Sequence, residues 1–204
     1  IGGGVAPTFT ALSPDGAYLY IPDYNNARLY RMDTSDFSMS APLNVGANPH
    51  CACVSPDENY VFVVNITPNT VSAVETSGFT VTETEGVGTN PYTCVVTPDS
   101  GYVYVTNNDS DDISVINTAT WSEDIIGAAV GEGVISCDQA YGIDVTHDGE
   151  YIYAACAGSD DHVLVIAIPD DPDVMADYSI VETIDVGNSP NLLKIQRPNP
   201  NPIP

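Results

Sequence analysis

The feature that most constrains this chain is a fourfold internal repeat. Ser13-Pro14-Asp15-Gly16 recurs as Ser55-Pro56-Asp57-Glu58, as Thr97-Pro98-Asp99-Ser100 and as Thr146-His147-Asp148-Gly149. The first three copies stand 42 residues apart, and the fourth follows after 49. After each turn comes an aromatic and β-branched run: Tyr18-Leu19-Tyr20-Ile21, Tyr60-Val61-Phe62-Val63, Tyr102-Val103-Tyr104-Val105 and Tyr151-Ile152-Tyr153-Ala154. A third run follows, as in Val71-Ser72-Ala73-Val74 and Ile113-Ser114-Val115-Ile116. Phe37, Phe79, Trp121 and Tyr178 open a fourth, and the copies close on Val45-Gly46, Val87-Gly88, Val130-Gly131 and Val186-Gly187.

Four short runs of residues that suit a pleated surface, punctuated by Pro, Asp, Asn and Gly, predict a four-stranded antiparallel sheet per repeat. A period near 42 is the length of one propeller blade. No segment carries a sustained helical period. Each blade has two apolar faces, which stacking against its neighbours buries. The expected fold is therefore all-β: a β-propeller with four blades and the first strand of a fifth. The blades fall over about 5–46, 47–88, 89–139 and 140–187, and the partial one over 188–197.

The third copy carries a resemblance. Val87-Gly88-Thr89-Asn90-Pro91-Tyr92, Thr97-Pro98-Asp99, Tyr104-Val105-Thr106-Asn107 and Ile113-Ser114-Val115-Ile116-Asn117 resemble the YVTN family of β-propeller repeats. The resemblance covers nearly the whole chain and implies the fold rather than one activity, since similar repeats occur in surface proteins, in lactonase-type enzymes and in propellers that hold metals or haems.

The ends read as parts of blades. Ile1-Gly2-Gly3-Gly4 resembles the exit from an outer strand, as in a processed or partial chain. Ser189 to Gln196 resembles the innermost strand of a next blade, with Pro198-Asn199 at its turn. A window on a longer propeller, completion by another copy of the chain and a closed four-blade ring all remain open. Completion by a copy would build a filament, because open blade edges invite pairing. Residues 198–204 alternate proline with other residues and read as a stiff linker or tail.

Charge narrows the partners. Arg28, Arg31, Lys194 and Arg197 are the whole basic inventory against 28 acids, giving a net charge of −24. That excludes nucleic acid, which needs a cationic footprint, and disfavours anionic membrane surfaces. No run of 18 apolar residues is present, so this segment does not insert in a membrane. A protein or glycan at the cell surface, cations and other copies of the chain remain as partners. Acidity also keeps a secreted protein soluble, or suits it to salty water.

The cysteines are Cys51, Cys53, Cys94, Cys137 and Cys156. Without Cys-x-x-Cys-His there is no site for covalent c-type haem. His50-Cys51-x-Cys53 has the donors of a soft-metal site, but disulfides are the stronger reading. On the repeat, Cys94 takes the place of Ala52, opposite in parity to Cys51 and Cys53, so one of those two can bridge to it between stacked blades. Cys137 precedes the first strand of its blade and Cys156 ends the second, so a hairpin about Asp148 brings them together. Two bridges place the chain in an oxidising, extracellular compartment.

Asp109, Asp111 and Asp112 form one acidic cluster and Asp160 and Asp161 another, both on the blade-connecting face that also holds His50 and the insertion Glu132 to Gln139. A further insertion, Pro169 to Asp173, lies on the opposite face. Such clusters can hold Ca²⁺, but none matches the twelve-residue calcium loop, and solvated turns read the same way. Asn65-Ile66-Thr67 and Asn108-Asp109-Ser110 are glycosylation sequons, both expected to be exposed.

No Gly-x-Ser-x-Gly elbow or His-Glu-x-x-His occurs. His147 replaces the turn proline as a surface residue, and the inner strands carry one charged side chain, Asp144, a thin basis for catalysis. The expected function is a non-catalytic, extracellular or cell-surface structural or recognition module, one form of which is a filament subunit joined through its incomplete blade. The alternatives are a lactonase-like small-molecule enzyme and a metal- or redox-binding propeller.

Overall fold

The computed structural model describes residues 6–126, 136–159 and 161–195. Four four-stranded antiparallel sheets follow one another along the chain, each ordered as the strands occur in sequence. The first holds β1 (Ala11–Leu12), β2 (Tyr18–Asp23), β3 (Arg28–Asp33) and β4 (Leu43–Asn44). The second holds β5 (Pro49–Val54), β6 (Tyr60–Asn65), β7 (Thr70–Glu75) and β8 (Thr80–Gly86). The third holds β9 (Pro91–Val96), β10 (Tyr102–Asn107), β11 (Asp112–Asn117) and β12 (Ser122–Ile126). The fourth holds β13 (Ala140–Val145), β14 (Tyr151–Cys156), β15 (His162–Ala167) and β16 (Ser179–Asp185).

The repeated Ser/Thr-x-Asp turns, with proline at the middle position in the first three, fix the first hairpin of every blade. Ser13, Ser55, Thr97 and Thr146 each donate a hydroxyl hydrogen bond to the aspartate two residues on, at 2.5–2.6 Å. The same oxygens accept the backbone N–H of Tyr18, Tyr60, Tyr102 and Tyr151, at 2.9–3.0 Å. Side chains thus satisfy backbone groups that the tight turn would otherwise leave unpaired.

Apolar cores lie between blades. Tyr20 and Leu29 pack with Val61, Val63 and Val74; Phe62, Val64 and Val71 with Val96, Val103 and Val105; and Tyr104, Ile113 and Val115 with Ile143, Ile152 and Leu164. Each such side chain, buried from water, contributes roughly 1.5–3 kcal/mol.

The terminal Val-Gly has a steric cause. A Cβ on Gly46 would stand 2.7 Å from Asn65 Cβ, and one on Gly88 2.6 Å from Asn107 Cγ. Each glycine lets the chain cross close above the asparagine that ends the second strand of the next blade. In the fourth blade Cys137 holds the glycine's place and Cys156 the asparagine's, and the two form a disulfide with Cα atoms 5.0 Å apart. One covalent bond replaces the close approach.

Residues 191–195 lie against the fourth blade where the next inner strand belongs: a Cβ on Gly142 would meet Leu193 N at 2.8 Å and Asn191 O at 3.0 Å. They form no ladder, because an inner strand pairs with the second strand of its own blade. Residues 1–5, most of the insertion before Gln139 (127–135), Asp160, Arg197 and the proline-rich tail lie outside the described residues. Among the described residues no helix is long and apolar enough to cross a membrane.

Candidate functional site

The inner strands β1, β5, β9 and β13 converge on a cavity of about 750 Å³. Its wall includes Leu12, Pro14, Pro56, Pro98 and His147, with Lys194 and Ile195 from the segment that follows the fourth blade. Cys53 and Cys94 line it and form a disulfide, Cα atoms 6.0 Å apart, between the second and third blades. Cys51 is the free thiol; it is buried, and burial pushes its pKa up to about 11. At the other end of the inner strands, rings from all four blades meet. Centroids lie 5.0 Å apart for Phe9 and His50, 4.2 Å for His50 and Tyr92, and 4.8 Å for Tyr92 and Tyr141.

Asp144 is the charged side chain of the inner strands, and both of its oxygens are engaged. Oδ1 accepts the N–H of Val145 at 3.0 Å and Oδ2 that of Ile195 at 2.7 Å. Lys194 Nζ stands 3.3 Å from Oδ2. The carboxylate therefore clamps the following segment to the fourth blade. Its lysine partner was not evident in the sequence, because nothing local links residues 50 positions apart. A chemically reactive group in such a cavity would be a nucleophile or base with a free lone pair facing the void, and the clamp leaves Asp144 little of that capacity.

The other predicted site residues are distributed over the blades. His50 Nδ1 stands 2.9 Å from Tyr92 O, and burial lowers the imidazole's pKa, so the ring is neutral near pH 7. Cys53, bonded to Cys94, has no thiolate to join it on a metal. Asp109 accepts from Asn90 Nδ2, Asp111 from Gln139 N, and Asp112 from Asn107 Nδ2 and Ser110 Oγ. Burial raises the pKa of Asp112. Asp161 accepts from Ser189 N; Asp160 lies outside the described residues. Among the described residues no group of three or more His, Cys, Asp or Glu is placed to hold a metal ion.

The sequons require a correction. Asn65 is 0% exposed, its Nδ2 donating to Thr70 Oγ1 and Ser72 Oγ beneath Gly46. The Nδ2 of Asn108 is covered as well and has no partner. Asn65 ends its second strand and Asn108 follows one, and in the folded protein neither amide nitrogen is exposed.

The arrangement defines a class, the β-propeller, and solved structures agree. The chain is similar to the hydrazine synthase of Kuenenia stuttgartiensis, with 21% identity over 91% of this chain and a TM-score of 0.77. It is similar to the Cps50 β-propeller domain of Myceliophteria thermophila, with 12% identity over 96% and a TM-score of 0.76. It is also similar to the periplasmic gluconolactonase of Pseudomonas aeruginosa, with 16% identity over 92% and a TM-score of 0.70. It spans 51%, 60% and 56% of those three chains respectively. At such identities the likeness is one of fold. No protein-family model matches the sequence, and a search of curated proteins finds no match. The two disulfides suggest a non-cytoplasmic protein.

Proposed function

We propose that the chain is a non-catalytic propeller module of YVTN type, working outside the cell as a structural or recognition element with a protein or neutral glycan partner. The observation that carries this reading is the state of Asp144. The one carboxylate on the inner strands is occupied by two backbone N–H groups and the Lys194 ammonium, and so holds the fold together. The acidity and the two disulfides support an extracellular setting. The test is a turnover assay of the purified chain against a panel of sugar lactones, with and without added divalent cations. Absence of turnover is expected; turnover lost in Asp144→Asn would overturn the reading.

A lactonase-like enzyme is the second reading. It is favoured by the cavity, which brings Asp144, His147 and Lys194 to one void, and by the gluconolactonase among the similar structures. The same assay decides between the two.

A further inference from the structure

At the end of the inner strands away from the cavity, four aromatic rings form a collar. Phe9, His50, Tyr92 and Tyr141 come from the four blades in turn. Each is half-buried, so part of every ring faces water. Neighbouring planes are tilted by 47–84°, so no ring lies flat on the next. His50 and Tyr92, at the centre, belong to the second and third blades, and each of those blades is flanked by another on both sides. A further blade adds beside the first or the fourth and leaves this end of the middle two as it is.

The collar presents hydrogen-bond acceptors. His50 Nδ1 stands 2.9 Å from the Tyr92 carbonyl oxygen, which can only accept, so Nδ1 carries the hydrogen. The ring is neutral, and Nε2 therefore holds a lone pair. Neither that nitrogen nor the hydroxyls of Tyr92 and Tyr141 have a hydrogen-bond partner among the described residues, and none of the three atoms is fully buried. The connections at this same end carry Asp23, Asp109, Asp111, Asp138 and Asp161 against one basic side chain among the described residues, Arg28. With a net charge of −24 on the chain, the potential over this end is negative. The ring faces add the negative side of their quadrupoles.

We propose that the collar of Phe9, His50, Tyr92 and Tyr141 binds an organic ammonium group, such as the side chain of a lysine on a protein partner. The ammonium sits against the ring faces and donates a hydrogen bond to His50 Nε2. Negative ring faces, an acceptor nitrogen and a surrounding negative field each favour a cation. This chain's own cations are engaged elsewhere, Arg31 over the rings of Tyr18 and Phe79 and Lys194 on Asp144. A neutral sugar gains from the rings but nothing from the field, and an anion is repelled. The inference rests on the reading of the chain as a recognition module, and it deepens that reading by naming the chemistry of the partner.

Proton NMR of the purified chain, titrated with tetramethylammonium and with butylammonium at fixed ionic strength, tests this. Butanol and maltose serve as neutral probes, and His147 and His162, outside the collar, as internal controls. Both cations are expected to shift the His50 ring resonances saturably, butylammonium more tightly because it can donate to Nε2. The neutral probes are expected to leave those resonances in place, and added salt to weaken the cations. Tyr92→Leu and Tyr141→Leu keep the charge, and each is expected to weaken cation binding about fivefold or more. Equal shifts from butanol or maltose overturn the proposal, maltose by making the collar a glycan site. Cation binding that survives both substitutions also overturns it, since the acidic field alone then accounts for the attraction, as does the lack of a saturable shift with either cation. The comparison of butylammonium with butanol needs no variant, so it decides even where a substitution unfolds the chain. Lactone turnover reads out the functional proposal independently, so the two can fail separately.

Discussion

Lys194 and Asp144, 50 residues apart in sequence, meet at 3.3 Å on the cavity wall. The ion pair is the weaker half of that clamp. The lysine side chain is 81% exposed, and exposed pairs contribute about 0–1 kcal/mol. The bond from Ile195 N to the same, largely buried carboxylate is charge-assisted and contributes roughly 1.5–3 kcal/mol. Lys194→Ala should therefore leave the melting temperature within about 2 °C of wild type, whereas Asp144→Ala should lower it by about 4–8 °C. Calorimetry on the three proteins checks this ordering, and hydrogen exchange at Ile195 should accelerate only in Asp144→Ala.

The Val-Gly ends give a second prediction. Gly88→Ala places a methyl within 2.6 Å of Asn107 Cγ, inside an interblade contact that cannot open without parting the blades. The expected cost is about 1–3 kcal/mol, as for other overpacked sites. Gly86, two residues earlier in β8, has nothing within 4 Å of a Cβ, so Gly86→Ala should be neutral or stabilising by up to about 1 kcal/mol. Urea unfolding of the pair separates close approach from generic glycine flexibility.

That contact also shows where the sequence was legible and where it was not. Blades, turns and strand runs could be read because turn chemistry and aromatic alternation are local and repeat four times. The parity of Cys94 against Cys51 and Cys53 placed a bridge between adjacent blades, but choosing Cys53 required the actual stacking. The sequence leads one to expect Asn65 and Asn108 to be exposed sequon asparagines. For Asn65 a contrary signal is present in the repeat: Asn65 and its equivalent Asn107 are each followed seven residues later by a serine, Ser72 and Ser114, whose hydroxyls receive the asparagine N–H groups. Gly46 and Gly88 precede them at a constant spacing, with Cys137 and Cys156 replacing that pair in the fourth blade. Lys194 on Asp144 depends on how the following segment meets the fourth blade, which no local pattern encodes.

The cysteine assignment predicts a thiol count. Cys51 is buried and its pKa is about 11, so native protein should show no thiol reactive toward an aromatic disulfide reagent at neutral pH. In denaturant without reductant one thiol per chain should appear, and after reduction all five. Reduction should also destabilise the fold. Removing a native disulfide costs about 2–5 kcal/mol, and the bridges here close separations of 19 and 41 residues. Three thiols in denatured, unreduced protein would contradict the pairing.

The pH dependence of stability follows from groups of opposite sense. Hydroxyl hydrogen bonds from Ser13, Thr97 and Thr146 hold Asp15, Asp99 and Asp148 below the usual carboxylate range. Their contribution is present above the unfolded pKa, near 4, and is lost as pH falls through the lower folded values. Burial raises Tyr104 and Tyr178 instead, so the unfolded chain releases those protons first. Stability is then full below about pH 10 and falls above it by up to about 1.4 kcal/mol per pH unit for each tyrosine. Urea midpoints measured across pH should give a plateau bounded by an acid and an alkaline limb. Asp99→Asn should lower the plateau and flatten the acid limb, and Tyr178→Phe should flatten the alkaline one. An alkaline limb that begins equally early and falls equally steeply in Tyr178→Phe would show that the buried phenol pair between the third and fourth blades does not set it.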